Sequence, residues 1–365
     1  MASSEPEEID DFDVQQWASA QHRDDTEEIR VLKKENASLR QRLTVAGRGA
    51  SIVLGAVQEA FDEDLPRISV PKPKKHGKGD EEVPVLHISD TQMGKITETY
   101  DTAIGIGRLK ELASKTAKII ELRKSMATIK ELRLYLGGDM VEGEVIFPHQ
   151  PHLIDTSVIK QSVRDVPYAI TEVIVSLLSV VEKIHVVCVA GNHGRPASKH
   201  SGSHPETNWD TVCYEIVRMM VHGTEVNQRA DTLERVTFNI PPSFYALDTV
   251  FNTTNLMIHG HQIRGMIGGP AFARQMMGWR DSIREPWDNL YFGHFHVYKQ
   301  GDLNGRWWFC NGTTESDNDY ALERLSSSTT PRQRLQFFNA KHGMIADMPI
   351  FLTYGLAGGD GEQAA

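Results

Sequence analysis

Cysteine is scarce: Cys188, Cys213 and Cys310 are the only three in 365 residues, widely spaced and odd in number. That excludes a disulfide framework and a CxxC zinc pair, and it makes a reducing, cytoplasmic setting the expectation. No run approaches the roughly 18–20 apolar residues that span a bilayer, so no membrane partner is expected. The opening MASSEPEEIDDFDV lacks the basic and apolar regions of a secretory signal. Basic charge is also short overall, with a formal net charge of −10. The deficit is local: residues 1–28 hold ten acidic groups against Arg23 alone, a net of −9. The remaining body is therefore nearly neutral, which neither requires nor excludes a nucleic-acid partner. What is present, 40% apolar, 24% charged and 8% aromatic residues, is ordinary for a globular protein with room for one large domain or two modest ones.

The acidic head, 1–28, has few large apolar residues and reads as disordered. A helical segment follows over 29–65. Within it Ile29, Leu32, Asn36, Leu39 and Leu43 are spaced 3-4-3-4, an a/d seam with Asn36 at an a position. Two readings stand: a two-stranded coil forming a homodimer through 29–43, or a lone amphipathic helix packed on the body. Residues 52–61 extend the helical pattern. The stretch 66–82, with Pro71, Pro73, Lys74, Lys75 and Lys78, is a basic linker. From residue 83 to 340 strands alternate with helices and then become more frequent, and 341–365 reads as a C-terminal strand and flexible tail. Strands are expected at 83–89, 132–136, 185–190, 236–240, 244–249, 256–259, 290–293 and 307–310. Helices are expected at 108–126, 156–181 with a bend at Pro167, 207–221 and 271–283. The fold class that follows is α/β of the α+β sandwich type, with layered β-sheets flanked by helices.

Potential metal ligands recur just past predicted strands: Asp90 and Gln92, Asp139, Asn192 with His193, His259, and His294 with His296. Ligands at strand ends converge on one edge of a sheet, where α/β folds place their sites. Two divalent ions roughly 3.5–4 Å apart activate a water and neutralise phosphoryl oxygens. They need a carboxylate shared between them, and Asp139 is the candidate. A mixture of His, Asp, Asn and Gln suits Mn²⁺, Fe or Zn²⁺ better than Ca²⁺. His193 follows a ligand Asn and is free to protonate a leaving alkoxide.

The blocks Asp90-Thr91-Gln92, Gly138-Asp139-Met140-Val141-Glu142-Gly143, Gly191-Asn192-His193, His259-Gly260-His261 and Gly293-His294-Phe295-His296 resemble, in order, the five signature blocks of calcineurin-like metallophosphoesterases. The resemblance implies a dimetal phosphoesterase. One ion would be held by Asp90, Gln92, Asp139 and His296, the other by Asp139, Asn192, His259 and His294, with His193 as general acid. The departure is Gln92, where the family usually has His. A neutral amide oxygen is the weaker ligand and shifts preference towards Mn²⁺ or Mg²⁺.

Flanking residues, Arg195, Asn208-Trp209-Asp210 and Asn311-Gly312, look like those of phage-encoded SbcD-type DNA-repair exonucleases. That resemblance implies a DNA exonuclease or endonuclease using two divalent ions, most simply Mn²⁺, in a host cytoplasm. The alternatives are a phosphatase or small-nucleotide phosphodiesterase, and a catalytically weakened binding or assembly protein. Arg195, Arg264, Arg274, Arg280, Arg284, Lys299, Arg306, Arg332 and Arg334 are candidates for phosphate contacts. His261 lines the site or fixes His259. His149, His152, His200 and His204 read as surface residues, and His87 as a satisfied core histidine. Asp155 and Asp210 read as helix caps or surface charges. Of Trp307 and Trp308, one ring belongs to the core.

Overall fold

The computed structural model describes residues 30, 33–34, 49, 51–62, 68–72, 75–147, 150–197, 204–223, 232, 234–316 and 330–355. The chain divides into two compact units, 1–45 and 46–365. In the first unit only Arg30, Lys33 and Lys34 are described, all helical. The acidic head and the seam residues Ile29, Leu32, Asn36, Leu39 and Leu43 lie outside the described residues.

The second unit is built on two sheets. A six-stranded sheet runs in the order β11-β10-β1-β2-β3-β4. Its members are β1 (Glu82–Ile88), β2 (Glu131–Leu136), β3 (Lys183–Cys188), β4 (Val236–Asn239), β10 (Arg332–Asn339) and β11 (Gly343–Phe351). Strands β1 to β4 are parallel, and β10 and β11 close one side antiparallel. Every residue of β1 is buried, as a strand covered on both faces requires. A five-stranded sheet runs β5-β6-β7-β9-β8. It comprises β5 (Tyr245–Val250), β6 (Thr253–Ile258), β7 (Asn289–Phe292), β8 (Lys299–Leu303) and β9 (Arg306–Cys310).

The sheets pack on each other through Val83, Val85, Tyr135, Val187, Met257, Tyr291 and Phe309. The outer face of the larger sheet is covered by α2 (Thr102–Arg123), α4 (Val166–Leu177) and α5 (Trp209–His222). The outer face of the smaller one is covered by α6 (Pro270–Ser282), through Phe272 and Met276 against Leu290, Phe292 and Trp308. The result is a layered α/β architecture with two sheets flanked by helices. No helix among the described residues is long and apolar enough to cross a membrane.

Helix boundaries follow local chemistry. Asp101 caps α2 by accepting from Ile104 N at 2.8 Å. Asp155 accepts from Thr102 N at 2.9 Å and Thr102 Oγ1 at 2.6 Å, so it is indeed a cap, supplied from another segment. Before Pro167 the helix widens. After α3 (Val158–Lys160), residues Gln161–Asp165 form a π-turn in which Val166 N–H reaches Gln161 O, and α4 resumes at Val166. That turn absorbs a proline that has no N–H to give. Residues 51–62 form a helix, α1, whose Leu54, Val57 and Phe61 pack against Val212, Ile216, Met219 and Met220 of α5.

The strand expected after residue 340 is β11, which pairs along β10 from Arg332↔Phe351 to Asn339↔Gly343. Two findings depart from expectation. His87 is fully buried, but neither ring nitrogen has a hydrogen-bond partner. It sits edge-on to Tyr135 and Tyr291, and burial, then the Arg334 charge, lowers its pKa to about 3. Arg334 is itself buried, donating to Asp347, Gln300, Lys299 O and Cys310 O, so it has no access to a phosphate. The tryptophan pair divides as expected, with Trp308 at 6% exposure in the core and Trp307 at 39%.

Candidate metal centre

Strands β1, β2 and β3 run parallel to one another in one sheet, as do β6 and β7 in the other, and their C-terminal ends form one rim. Asp90, Asp139, Asn192, His259 and His294 each follow one of these ends. Turning sharply there forces the backbone into the left-handed region. Of seven non-glycine residues with positive φ among the described residues, five are Asp90, Gln92, Asp139, His294 and His296. Such conformations are costly for side chains with a Cβ and concentrate at functional sites. Two glycines permit the approach: a Cβ on Gly191 would lie 2.1 Å from Asp139 Oδ1, and one on Gly293 2.2 Å from Asp90 Oδ2.

Asp139, His259 and His294 bring one ligand atom each to within 4.8 Å of one another. His259 is oriented from behind, its Nδ1 lying 2.8 Å from Gly137 O. With Nδ1–H donating to that carbonyl, Nε2 faces the site, where an ion that displaced its proton would meet its lone pair. His259 Nε2 stands 3.0 Å from Asp139 Oδ2, yet neither atom makes a hydrogen bond, and both are buried. Asn192 Oδ1 is buried without a partner as well. Buried polar atoms are ordinarily paired, so this convergence of unpaired nitrogen and oxygen atoms fits a shared divalent ion. Burial opposes charge on His259, but Asp139 raises its pKa to about 9. Burial and the neighbouring His259 lower His294 to about 3, keeping that imidazole neutral and able to donate a lone pair.

The loop carrying Asp139 is fixed by a residue that sequence reasoning missed. Asp210, at 0% exposure, accepts from Asp139 N (2.9 Å), Met140 N (3.0 Å), Val141 N (3.3 Å) and Gly191 N (2.8 Å). It is neither a surface charge nor a simple cap. One carboxylate ties the loop after β2 to the loop after β3. Burial, then Asp139's charge, pushes its carboxyl up to about 6 against these four donors. Asn208 supports it, capping α5 through Asp210 N and donating to Gly191 O. The Asn208-Trp209-Asp210 stretch was the available signal.

His193 is held by Glu142: its Nδ1 lies 3.1 Å from Glu142 O and 3.2 Å from Glu142 Oε2. Gln150 donates to Glu142 Oε1 at 3.1 Å, and Phe147 meets the His193 ring edge-on. His193 Nε2 then points inward, 4.0 Å from Asp139 Oδ2. Burial disfavours its charge, but Glu142 and then Asp139 raise its pKa to about 9.

On the other flank of Asp139 the donors are already engaged. Both Asp90 oxygens accept from His294 N, at 2.9 and 3.0 Å. Gln92 Oε1 accepts from Lys95 Nζ at 3.0 Å, and Gln92 Nε2 lies 3.3 Å from His296 Nε2. Glu315 pairs with Lys95 and, through Oε1, with His296 Nδ1 at 2.7 Å. Burial works against charge on His296, but Glu315 and Asp90 hold its pKa at about 10. A divalent ion therefore fits the Asp139–Asn192–His259–His294 donors as they stand, whereas the Asp90–Gln92–His296 set is satisfied within the protein. Behind Asp90, Thr313 Oγ1 donates to its carbonyl at 2.9 Å, and Asn311 and Gln333 tie Ser89 into the same buried network.

His261 sits beside this cluster, its ring centroid 5.5 Å from His259, and burial, then His259's charge, lowers it to about 2. Its Nδ1 is buried and unpaired. Arg195 is half-buried where Asp139's charge reaches it, and burial lowers its pKa against that charge. Past His261, Phe244, Gln262, Arg264, Arg274, Gln275 and Trp279 line an open cleft. His152 and His204 are exposed, while His149 and His200 lie outside the described residues. Arg332 lies over the Tyr298 and Phe351 rings, and its backbone N–H donates to Thr313 O behind Asp90.

No family model matches the chain, and no curated protein matches it by sequence. Among solved structures, Vacuolar Protein Sorting 29 from Cryptosporidium parvum is 12% identical, covering 74% of this chain and 100% of its own, with a TM-score of 0.35. A novel archaeal phosphodiesterase is 8% identical, covering 73% and 99%, with a TM-score of 0.32. The hypothetical protein PH1004 from Pyrococcus horikoshii OT3 is 11% identical, covering 74% and 88%, with a TM-score of 0.38. Likenesses of this size carry no functional weight, which rests on the rim itself.

Proposed function

We propose that the chain is a divalent-metal-dependent phosphoesterase of the calcineurin-like superfamily, acting on phosphodiesters, with DNA as its substrate. The observation that carries this reading is the convergence of Asp139, His259 and His294, with the buried Asn192 Oδ1 left without a hydrogen-bond partner. When bound there, an ion supplies Lewis acidity and activates water. The mixed oxygen and nitrogen donors favour Mn²⁺, Fe or Zn²⁺.

The protein's own groups do the rest. Glu142 holds His193 Nδ1, which leaves Nε2 facing the cluster to give a proton to the departing oxygen, a contribution of roughly 10²–10⁴-fold. Asp210 keeps the Asp139 and Gly191 loops in register through four N–H donors. The Arg195 guanidinium, near Asp139, would engage a phosphoryl oxygen. Support for a nucleic-acid substrate comes from the adjoining cleft, where Arg264 and Arg274 offer phosphate contacts and Phe244 and Trp279 offer stacking surfaces.

The test is a panel on chelator-stripped protein with and without added Mn²⁺. Linear duplex DNA, single-stranded DNA, an aryl phosphodiester and an aryl phosphomonoester are the substrates. Mn²⁺-dependent cleavage of both DNA forms and of the diester is expected, with Asp139→Asn losing both bound metal and turnover. Turnover in excess chelator, or an Asn variant with ordinary metal content and rate, would sink the proposal. Cleavage of the monoester alone would move the protein to the phosphatases.

A further inference from the structure

Gln92 departs from the family's histidine, and three residues later stands a lysine whose side chain is turned into the site. Lys95 follows Gly94, whose φ of +104° bends the chain, and its N–H bonds back to Gln92 O at 3.1 Å. Its side chain is only 15% exposed, and that of its partner Glu315 is 1% exposed. Lys95, Gln92, His296 and Glu315 form a closed ring: Lys95 to Gln92 Oε1, Gln92 Nε2 to His296 Nε2, His296 Nδ1 to Glu315, and Glu315 back to Lys95.

An ammonium has three donors and no acceptor, so it fixes the Gln92 amide with Oε1 towards Lys95 and the NH₂ towards His296. The one atom by which Gln92 could bind a metal is thereby taken. Four carboxylates, Asp90, Asp139, Glu142 and Glu315, reach this floor, none more than 5% exposed. Buried carboxylates need compensating positive charge, and Lys95 supplies part of it from within the chain. A divalent ion on the Asp90 flank would have to sit against that anchored ammonium, where screening by salt is weak.

We propose that Lys95 takes the place of one of the two ions that the resemblance implies. The chain then holds a single divalent ion at Asp139, Asn192, His259 and His294, with a tethered ammonium on the Asp90–Gln92–His296 side. This rests on the metal-dependent reading above. Compared with a second ion, the lysine costs no binding step and cannot be removed by chelation.

The experiment is metal stoichiometry, read without any substrate. Full-length protein is stripped with chelator and dialysed to equilibrium against a series of Mn²⁺ concentrations. Bound metal is counted by plasma mass spectrometry, and electron paramagnetic resonance reports whether the ions are isolated or spin-coupled. Wild type is expected to take up one equivalent with the spectrum of an isolated ion. Lys95→Met is expected to admit a second, spin-coupled equivalent at least tenfold more tightly than any second event in wild type. Two equivalents in wild type overturn the inference while leaving the metal-dependent reading intact, and this arm needs no variant to fold. A folded Lys95→Met protein that still holds one ion overturns it as well. A wild-type protein that binds no ion removes the metal-dependent reading, and this inference with it.

Discussion

Asp210 offers the sharpest test of how the rim is held. In Asp210→Asn the side chain keeps its shape but exchanges one oxygen for an NH₂. Oδ2 accepts from Asp139 N and Gly191 N, and Oδ1 from Met140 N and Val141 N, so either amide orientation leaves two buried N–H groups facing a donor. Hydrogen bonds to charged groups contribute roughly 1.5–3 kcal/mol each, so losing two costs about 3–6 kcal/mol. Part of that is returned. Burial and Asp139 already press against ionisation of Asp210, raising its carboxyl to about 6, and a neutral amide escapes that pressure. The lower end, about 3 kcal/mol, is therefore expected, a large share of the 5–15 kcal/mol typical of folded proteins. Because the orphaned donors, whichever pair they are, include one or two on the loop that carries Asp139, Mn²⁺ affinity should fall together with stability. Urea denaturation followed by circular dichroism gives the first quantity and equilibrium dialysis the second. A loss below about 1 kcal/mol with unchanged slope and metal content would refute the role of Asp210 as the tie between the two loops.

His193→Gln should leave bound metal near the wild-type level while slowing esters with poor leaving groups by roughly 10²–10⁴-fold and sparing those with good ones. Loss of a metal equivalent in that variant would make His193 a ligand and discard the acid role. Glu111 anchors the segment after β11, accepting from Thr353 N and Tyr354 N and pairing with Lys115 at 2.7 Å. Burial acts to raise its pKa, but Lys115 and these donors outweigh it and hold the carboxyl below its ordinary value. A depressed folded pKa stabilises above the unfolded value of about 4.3 and loses that contribution as pH falls through the folded one. The difference in melting temperature between wild type and Glu111→Gln should thus be full at pH 7 and shrink below pH 4. A difference independent of pH would show that the charge of Glu111 contributes nothing.

The layered fold was readable because its core strands announce themselves. β1, β2 and β3 are apolar runs that end in Gly or Asp turns, and each forms within two residues of its expected limits. β10 was not foreseen, although it lies inside the larger sheet, between β11 and β1. Its sequence RQRLQFFN reads as a polar edge. In the fold Gln333 and Arg334 are fully buried because each finds partners on distant elements, Ser89 and Thr314 for one, Asp347 and Cys310 O for the other. Periodicity measures hydrophobicity, and a buried polar network cancels that signal. β8, of sequence KQGDL and mostly exposed, is hidden for the opposite reason: it lies at the sheet's border and buries little.

The same distinction runs through the site. Residues that place a side chain at a strand end, such as Asp139 or His259, sit in short local patterns, because the turn, the glycine and the ligand must be neighbours in the chain. Residues that decide what those side chains can do are set by contacts between distant segments. Asp210 reaches Asp139 from 71 positions away, and Glu315 meets Lys95 across the junction between the first block and the loop after β9. Lys95 itself is four residues from Gln92's strand-end neighbour Thr91 and looks, as sequence, like a solvated charge. Only the arrival of Glu315 on one side and the Gln92 amide on the other turns it into an anchored, largely covered cation. A motif therefore states where donor atoms converge, while the number of ions they hold depends on which of them already have partners.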